Sequence, residues 1–207
     1  MLYTETVQSA LLELLEAVMS EQSFDKFRLV GGTSLALQIG HRQSVDLDFF
    51  GAQDLEEYEI SSFLNKVGEV QVLKKSRNIL IYSVNGIKVD FVNYRYPWLT
   101  SPIIENRWRL ASKEDIGAMK LNAISGRGSK KDFIDLYFLL KEFSLKELIG
   151  FYKKKYVDGS EFLVLKSLSY FDDADGEPMP KMLKQYDWVN IKIYLKKELK
   201  NYMNGYL

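Results

Sequence analysis

The chain has no cysteine and one histidine among 207 residues. The first absence excludes a disulfide scaffold, a thiolate zinc site, an iron–sulfur cluster and a cysteine nucleophile. The second excludes His-rich metal sites and motifs that need two histidines. Charge of one sign is not in excess either, since 28 Lys and Arg balance 28 Asp and Glu. A generally basic nucleic-acid binder is therefore not expected, although a local basic patch is allowed. No apolar run approaches the roughly 18 residues needed to span a bilayer. The opening segment lacks a basic n-region, and Glu5, Glu13 and Glu16 interrupt its apolar residues, so no signal peptide is read there. A cytoplasmic protein with no membrane partner is the expectation. With 46% hydrophobic and 27% charged residues, the chain has a globular composition. At this length roughly 70% of the unfolded surface can be buried.

The periodicity changes near residue 100. Val7, Leu11, Leu14, Leu15 and Val18 recur at helical spacing over the first twenty residues. A short strand, Phe27 to Val30, then runs into Gly31-Gly32, and a helix from Thr33 closes at Gly40. Val45 to Phe50 reads as a strand with Val45, Leu47 and Phe49 on its buried face. Asp54 is placed to cap a helix from about Leu55 to Val67, and a strand from Glu69 to Lys74 follows. Ile79 to Val84 and Ile87 to Val92 flank Asn85-Gly86, the strongest short-range hairpin signal in the chain. A two-residue turn sets Val84 against Ile87 and Ile81 against Asp90. Ser101 to Leu110 is a connector or a last strand. Beyond it the spacing is helical over Ser112–Ser125, with Asp115 completing a loose capping box, and over Lys131–Phe143, Leu145–Tyr156, Glu161–Phe171 and Trp188–Met203. Phe171 to Pro180 reads as a loop. The expected class is α+β: a mixed-sheet lobe over residues 1–100 and a helical lobe over 101–207.

Arg28 to Phe50 carries most of the chemistry. Asp46 and Asp48 lie two apart in a strand, so both carboxylates project from one face. Adjacent carboxylates repel, and a divalent cation removes that conflict. Mg²⁺ favours one or two carboxylates together with water and phosphate oxygens, with Mn²⁺ as the alternative ion. Upstream, Gly31 and Gly32 let the backbone approach a phosphate at a helix start, and the Thr33 and Ser34 hydroxyls can donate to its oxygens. Asp90 is an acid inside an apolar strand, which is costly without a partner. If its strand adjoins that of Asp46, three carboxylates converge, enough for two ions about 4 Å apart in a phosphoryl or nucleotidyl transfer site. The competing reading makes Asp90 an edge-strand acid facing Lys88 or Arg95.

The glycine turn, the following helix, Asp-x-Asp and the later strand Asp resemble the nucleotidyltransferase superfamily of the polymerase-beta type. The fuller string GGTSLALQIGHRQSVDLDFF, with His41, Arg42 and Ser44, is similar to the AbiEii/AbiGii-type nucleotidyltransferase toxins of abortive-infection and toxin–antitoxin systems. The segment EDIGAMKLNAISGRGSKKDFIDLYFLL matches the same family's downstream helices, and the likeness spans about Val30 to Leu140. The resemblance implies a nucleotidyltransferase fold. It implies that Asp46, Asp48 and Asp90 bind metal and carry catalysis. It also implies that Gly31, Gly32, Thr33 or Ser34, Arg42 and Lys131 contact the nucleotide. Lys120 would neutralise phosphate charge, and Asp132 would orient Lys120 or the acceptor. The implied reaction moves a nucleoside monophosphate from a nucleoside triphosphate to an acceptor hydroxyl, with tRNA or another RNA as acceptor and an antitoxin protein as partner. Two other readings stay open at this point: nucleotidyl or phosphoryl transfer to a small antibiotic-like molecule, and a non-catalytic nucleotide-binding module. His41, Arg127 and Asp135 receive no role, and each of Arg42, Lys120, Lys131 and Asp132 also admits a purely structural one.

Overall fold

A computed structural model of the chain describes residues 1–205. The chain forms two compact units, the first built from 1–96 and 101–111 and the second from 97–100 and 112–207.

The first unit opens with a 3₁₀ turn, Thr4–Thr6, and helix α1 (Ser9–Ser20), whose Leu11, Leu14, Leu15 and Val18 are all buried as their spacing requires. Strand β1 (Arg28–Leu29) leads into α2 (Gly31–Ile39), then β2 (Asp46–Gly51), α3 (Glu57–Val67), β3 (Val70–Lys75), β4 (Ile79–Val84), β5 (Ile87–Asn93), β6 (Ile103–Glu105) and β7 (Trp108–Leu110). The seven strands make one mixed sheet in the order β3-β4-β5-β2-β1-β7-β6. The β4–β5 hairpin has the expected register, with Val84 opposite Ile87 and Ile81 opposite Asp90. Its turn residues Asn85 and Gly86 both take positive φ, 50° and 81°. β5 is an inner strand, paired in parallel with β2 on its other side.

The sheet's apolar face follows from strand alternation. Leu47 and Phe49 of β2, Val89 and Phe91 of β5, and Leu80 and Tyr82 of β4 are buried with α1 and α3 residues in one core. Phe91 stacks on Phe49 at 5.3 Å and meets Phe27 edge-on at 5.5 Å. Each such ring pair adds about 0.5–1.5 kcal/mol beyond its buried area. Arg109 of β7 fastens the far end of the sheet by donating to the carbonyls of Met19, Phe24 and Phe27.

The second unit is helical: α4 (Lys113–Gly126), α5 (Lys130–Leu139), α6 (Leu145–Lys155), α7 (Glu161–Ser167), the single turn α8 (Asp172–Asp175) and α9 (Trp188–Asn204). α4 packs on α5, α6 and α7, and α9 packs on α5 and α6. The Ser112 hydroxyl accepts from the Asp115 backbone N–H at 3.1 Å and caps α4, while the Asp115 carboxylate accepts from the Ser112 hydroxyl at 3.0 Å, so the side-chain arm of the expected capping box forms. Ile191, Leu195 and Leu199 of α9 are buried, in keeping with a core role for their spacing.

Four local expectations need correction. Val45 precedes β2 and is half exposed; Gly51 completes the buried alternation in its place. Gly31 and Gly32 form the first turn of α2 itself, not a turn before it. Asp54 does not cap α3, which starts at Glu57; its carboxylate accepts from Asn93 and Arg95. Phe171 to Pro180 is not wholly loop, because α8 occupies Asp172–Asp175, with Asp175 bonded to Trp188 and Lys192.

Candidate active site

In the first unit the parallel pairing of β2 with β5 sets Asp46 opposite Lys88 and Asp48 opposite Asp90. Residues opposite each other in a sheet project to the same side. All four are half-buried on the face away from the apolar core. Three carboxylates from two neighbouring strands thus share one patch, as the sequence requires if the two strands adjoin. Asp90 is not an edge-strand acid, but the lysine it was weighed against is its partner: Lys88 Nζ lies 2.6 Å from Asp90 Oδ1.

α2 closes the patch from one side. The Val30 N–H donates to the Asp48 carbonyl at 2.9 Å, which fixes the start of α2 beside the middle of β2. Gly31 takes φ +67°, and a Cβ there would overlap Oδ2 of Asp48. A left-handed φ and zero side-chain volume are both required at this position, and only glycine supplies them without strain. Gly32 is half-buried beside it. The hydroxyls of the next two residues turn inward. Thr33 donates to the Asp46 carbonyl and lies 2.8 Å from the Ser44 hydroxyl, and Ser34 accepts from Gln38 Nε2 at 3.1 Å. Thr33 and Ser34 are buried. In this arrangement Thr33 locks α2 to β2, and the glycine backbone is the part of the turn nearest the carboxylates. His41 and Arg42 are buried as well, with Arg42 Nη1 donating to the Gln43 carbonyl at 3.0 Å.

The donor set is oxygen-only and carries three negative charges, which suits Mg²⁺ or Mn²⁺ and not a softer ion. The cradle at Gly31 leaves Asp48 the space its carboxylate occupies. The residues therefore fit a hard divalent cation. As the side chains lie, no group of three His, Asp or Glu among the described residues stands close enough to hold an ion, and Asp90 is turned to Lys88.

The second unit holds the other predicted residues in its own cluster. Lys120 of α4 reaches between two carboxylates of α5, at 2.9 Å from Asp132 Oδ1 and 2.6 Å from Asp135 Oδ2. All three side chains are at least nine-tenths buried. The Ser129 hydroxyl donates to Asp132 Oδ2 at 2.6 Å, and Arg127 Nε lies 3.5 Å from the same oxygen. Burial alone would raise the Asp132 pKa. The charge of Lys120, the hydrogen bonds from Ser129 and Lys120, and the charge of Arg127 outweigh it and hold the carboxyl below its ordinary value. Lys131 is exposed. Asp135, left without a role by the sequence, binds Lys120 as closely as Asp132 does; its three-residue spacing from Asp132 was the signal that both face one side of α5. Lys155 also escaped notice. It ends a run of three lysines in the last turn of α6, yet its ammonium is fully buried against Asp115 at 2.6 Å.

Known proteins resemble the chain in sequence and in fold. A protein from Aquifex aeolicus (strain VF5), described as uncharacterized protein aq_aa25, is 39% identical over 199 residues, covering 93% of this chain and 96% of that protein. The crystal structure of a candidate nucleotidyltransferase from H. pylori shares 18% identity at a TM-score of 0.57, over 93% of this chain and 94% of that one. MenT4, the nucleotidyltransferase toxin Rv2826c from Mycobacterium tuberculosis H37Rv, shares 14% identity at a TM-score of 0.56, over 93% and 84% of the two chains. At those identities the two structures establish a shared nucleotidyltransferase fold. The family model described as "Nucleotidyl transferase AbiEii toxin, Type IV TA system" matches residues 13–193. That span takes in the glycine start of α2, the aspartates of β2 and β5 and the Lys120 cluster, and the chain belongs to the AbiEii nucleotidyltransferase toxin family.

Proposed function

We propose that the chain transfers a nucleoside monophosphate from a nucleoside triphosphate to an acceptor hydroxyl. The observation that carries the reading is the register of β2 on β5, which gathers Asp46, Asp48 and Asp90 on one face beside Gly31. The acceptor oxygen forms a bond to the α-phosphorus, the bond between that phosphorus and the bridging oxygen breaks, and pyrophosphate leaves. A carboxylate of the triad takes the acceptor's proton. Mg²⁺ or Mn²⁺ held by Asp46, Asp48 and Asp90 would supply charge neutralisation for the phosphates and the developing alkoxide. The glycine backbone at the start of α2 is assigned to the triphosphate, where helix-end N–H groups favour anions. In the same reading Lys120 and Lys131 offset phosphate charge, Asp132 orients Lys120, and Arg42 and the Thr33–Ser34 pair support the nucleotide-binding segment.

The acceptor we assign is RNA, at the 3′ end of tRNA, and the physiological role is that of a toxin restrained by an antitoxin. The toxin role is supported by membership of the family, whose description names a toxin–antitoxin system, and the RNA acceptor by the sequence resemblance alone. No helix among the described residues is long and apolar enough to cross a membrane, and a cytoplasmic site of action is part of the proposal.

The test is label transfer. Pure protein with Mg²⁺ is incubated with each α-labelled triphosphate and with total cellular RNA and protein fractions. Label on the RNA fraction, lost in D46N/D48N at unchanged melting temperature, is the expected result. Transfer that survives in D46N/D48N overturns the mechanism. Label on protein, or on a small molecule, overturns the RNA assignment while keeping the chemistry.

A further inference from the structure

A positive charge reaches the carboxylate face from the same strand as the third acid. Lys88 stands directly opposite Asp46 and two residues before Asp90, so its stem runs along the face that carries all three carboxylates. Asp48 and Asp90 are directly opposite each other, an arrangement that destabilises a sheet when both are charged. The Lys88 ammonium, 2.6 Å from Asp90 Oδ1, offsets that repulsion. The two partners differ in access. The Lys88 side chain is 42% exposed and that of Asp90 only 15%, so the ammonium can swing into solvent while the carboxylate stays in place.

We propose that Lys88 is a positioning residue: a tethered cation that holds Asp90 in the strand face and competes with a divalent ion for its carboxylate. The inference rests on the metal-binding reading of the triad. A divalent ion that takes Asp90 Oδ1 as a ligand must displace the ammonium, and one on Oδ2 meets its repulsion across the same carboxylate. Lys88 has the means to yield, since four rotatable bonds separate its charge from the backbone. The pair thus keeps Asp90 on the strand face without an ion and sets how much of the ion's attraction is used to displace a resident charge.

The test is Mn²⁺ binding by isothermal titration calorimetry, without nucleotide, for the wild-type chain, K88M and K88R. Removing the competing charge is expected to tighten Mn²⁺ binding in K88M by roughly three- to fivefold, the scale of a partly exposed ion pair. K88R should match the wild type. The melting temperature of K88M should fall below that of the wild type without metal and recover when Mn²⁺ is saturating. In a D90N background, K88M should no longer change Mn²⁺ affinity. Unchanged or weaker Mn²⁺ binding in K88M overturns the inference while leaving the triad a metal site. A wild-type chain that binds no Mn²⁺ overturns the metal reading itself, and the inference with it. K88Q repeats the comparison if K88M does not fold.

Discussion

Gly31 is the residue at which backbone and chemistry meet. Its φ of +67° and the overlap of a would-be Cβ with Asp48 Oδ2 are independent demands. A left-handed conformation costs an alanine about 1–2 kcal/mol. The overlap adds a displacement of the Asp48 carboxylate, and misplacing a catalytic group by about 1 Å can lower a rate by about 100-fold. G31A is therefore expected to lose about 1–2 kcal/mol of stability by urea denaturation and about 100-fold in the rate of label transfer. A G31A chain that transfers at the wild-type rate would show that the position of Asp48 is not critical. Gly31 was legible as a glycine that meets phosphate. Its contact with Asp48 was not, because that contact depends on where α2 lies against β2, and the two are joined by a chain reversal that leaves no local pattern. Thr33 makes the same point: its hydroxyl looked available to a phosphate, and the fold gives it to the Asp46 carbonyl and Ser44.

Among the elements, α4 and α5 are tied by Lys120 to Asp132 and Asp135, and the pairing is sensitive to acid. Asp132 has its pKa held below the ordinary 3.8 in the folded chain. Its stabilising contribution is therefore complete above the unfolded value, at neutral and mildly acidic pH. It fades as pH falls below about 4 and is gone once pH passes below the lowered folded value. D132N removes this proton uptake. Melting temperatures measured between pH 6 and pH 3 should fall less steeply for D132N than for the wild type, with the two curves converging at the acid end. Parallel curves would mean that Asp132 is not held ionised by Lys120. The elements differ in how far the sequence exposed them. Asn85-Gly86 dictates a tight turn by local chemistry alone, and the register of Ile81 with Asp90 follows by counting. The parallel pairing of β2 with β5 brings together residues about forty positions apart and has no such local cause. Only the conditional statement was available, that the carboxylates converge if the strands adjoin. Asp54 shows the reverse error, a good capping residue drawn away by Asn93 and Arg95.

At the scale of the whole molecule, the chain enters its second unit twice, first for the four residues 97–100 and finally from 112 onward. The first visit is anchored by a charge pair with no exposure at all. Lys155 Nζ lies 2.6 Å from Asp115 Oδ1 and 2.7 Å from the Pro97 carbonyl, and it sits 4.6 Å from the centre of the Trp98 ring. Asp115 Oδ1 also accepts from the Leu99 N–H at 3.0 Å, while its Oδ2 accepts from the Ser112 hydroxyl. The polar bonds of this knot join α4 to α6, join the 97–100 segment to both, and cap α4. Removing one member of a buried ion pair leaves the other charge uncompensated, at a cost of about 3–5 kcal/mol. K155M should lower unfolding stability by that amount, because Asp115 then loses its buried cation and the Pro97 carbonyl loses its donor. The double variant D115N/K155M removes both charges together and should be more stable than K155M alone. Urea denaturation followed by circular dichroism separates the outcomes. A K155M chain within about 1 kcal/mol of the wild type would show that water reaches Asp115 and that the knot is not what holds residues 97–100 in the helical unit.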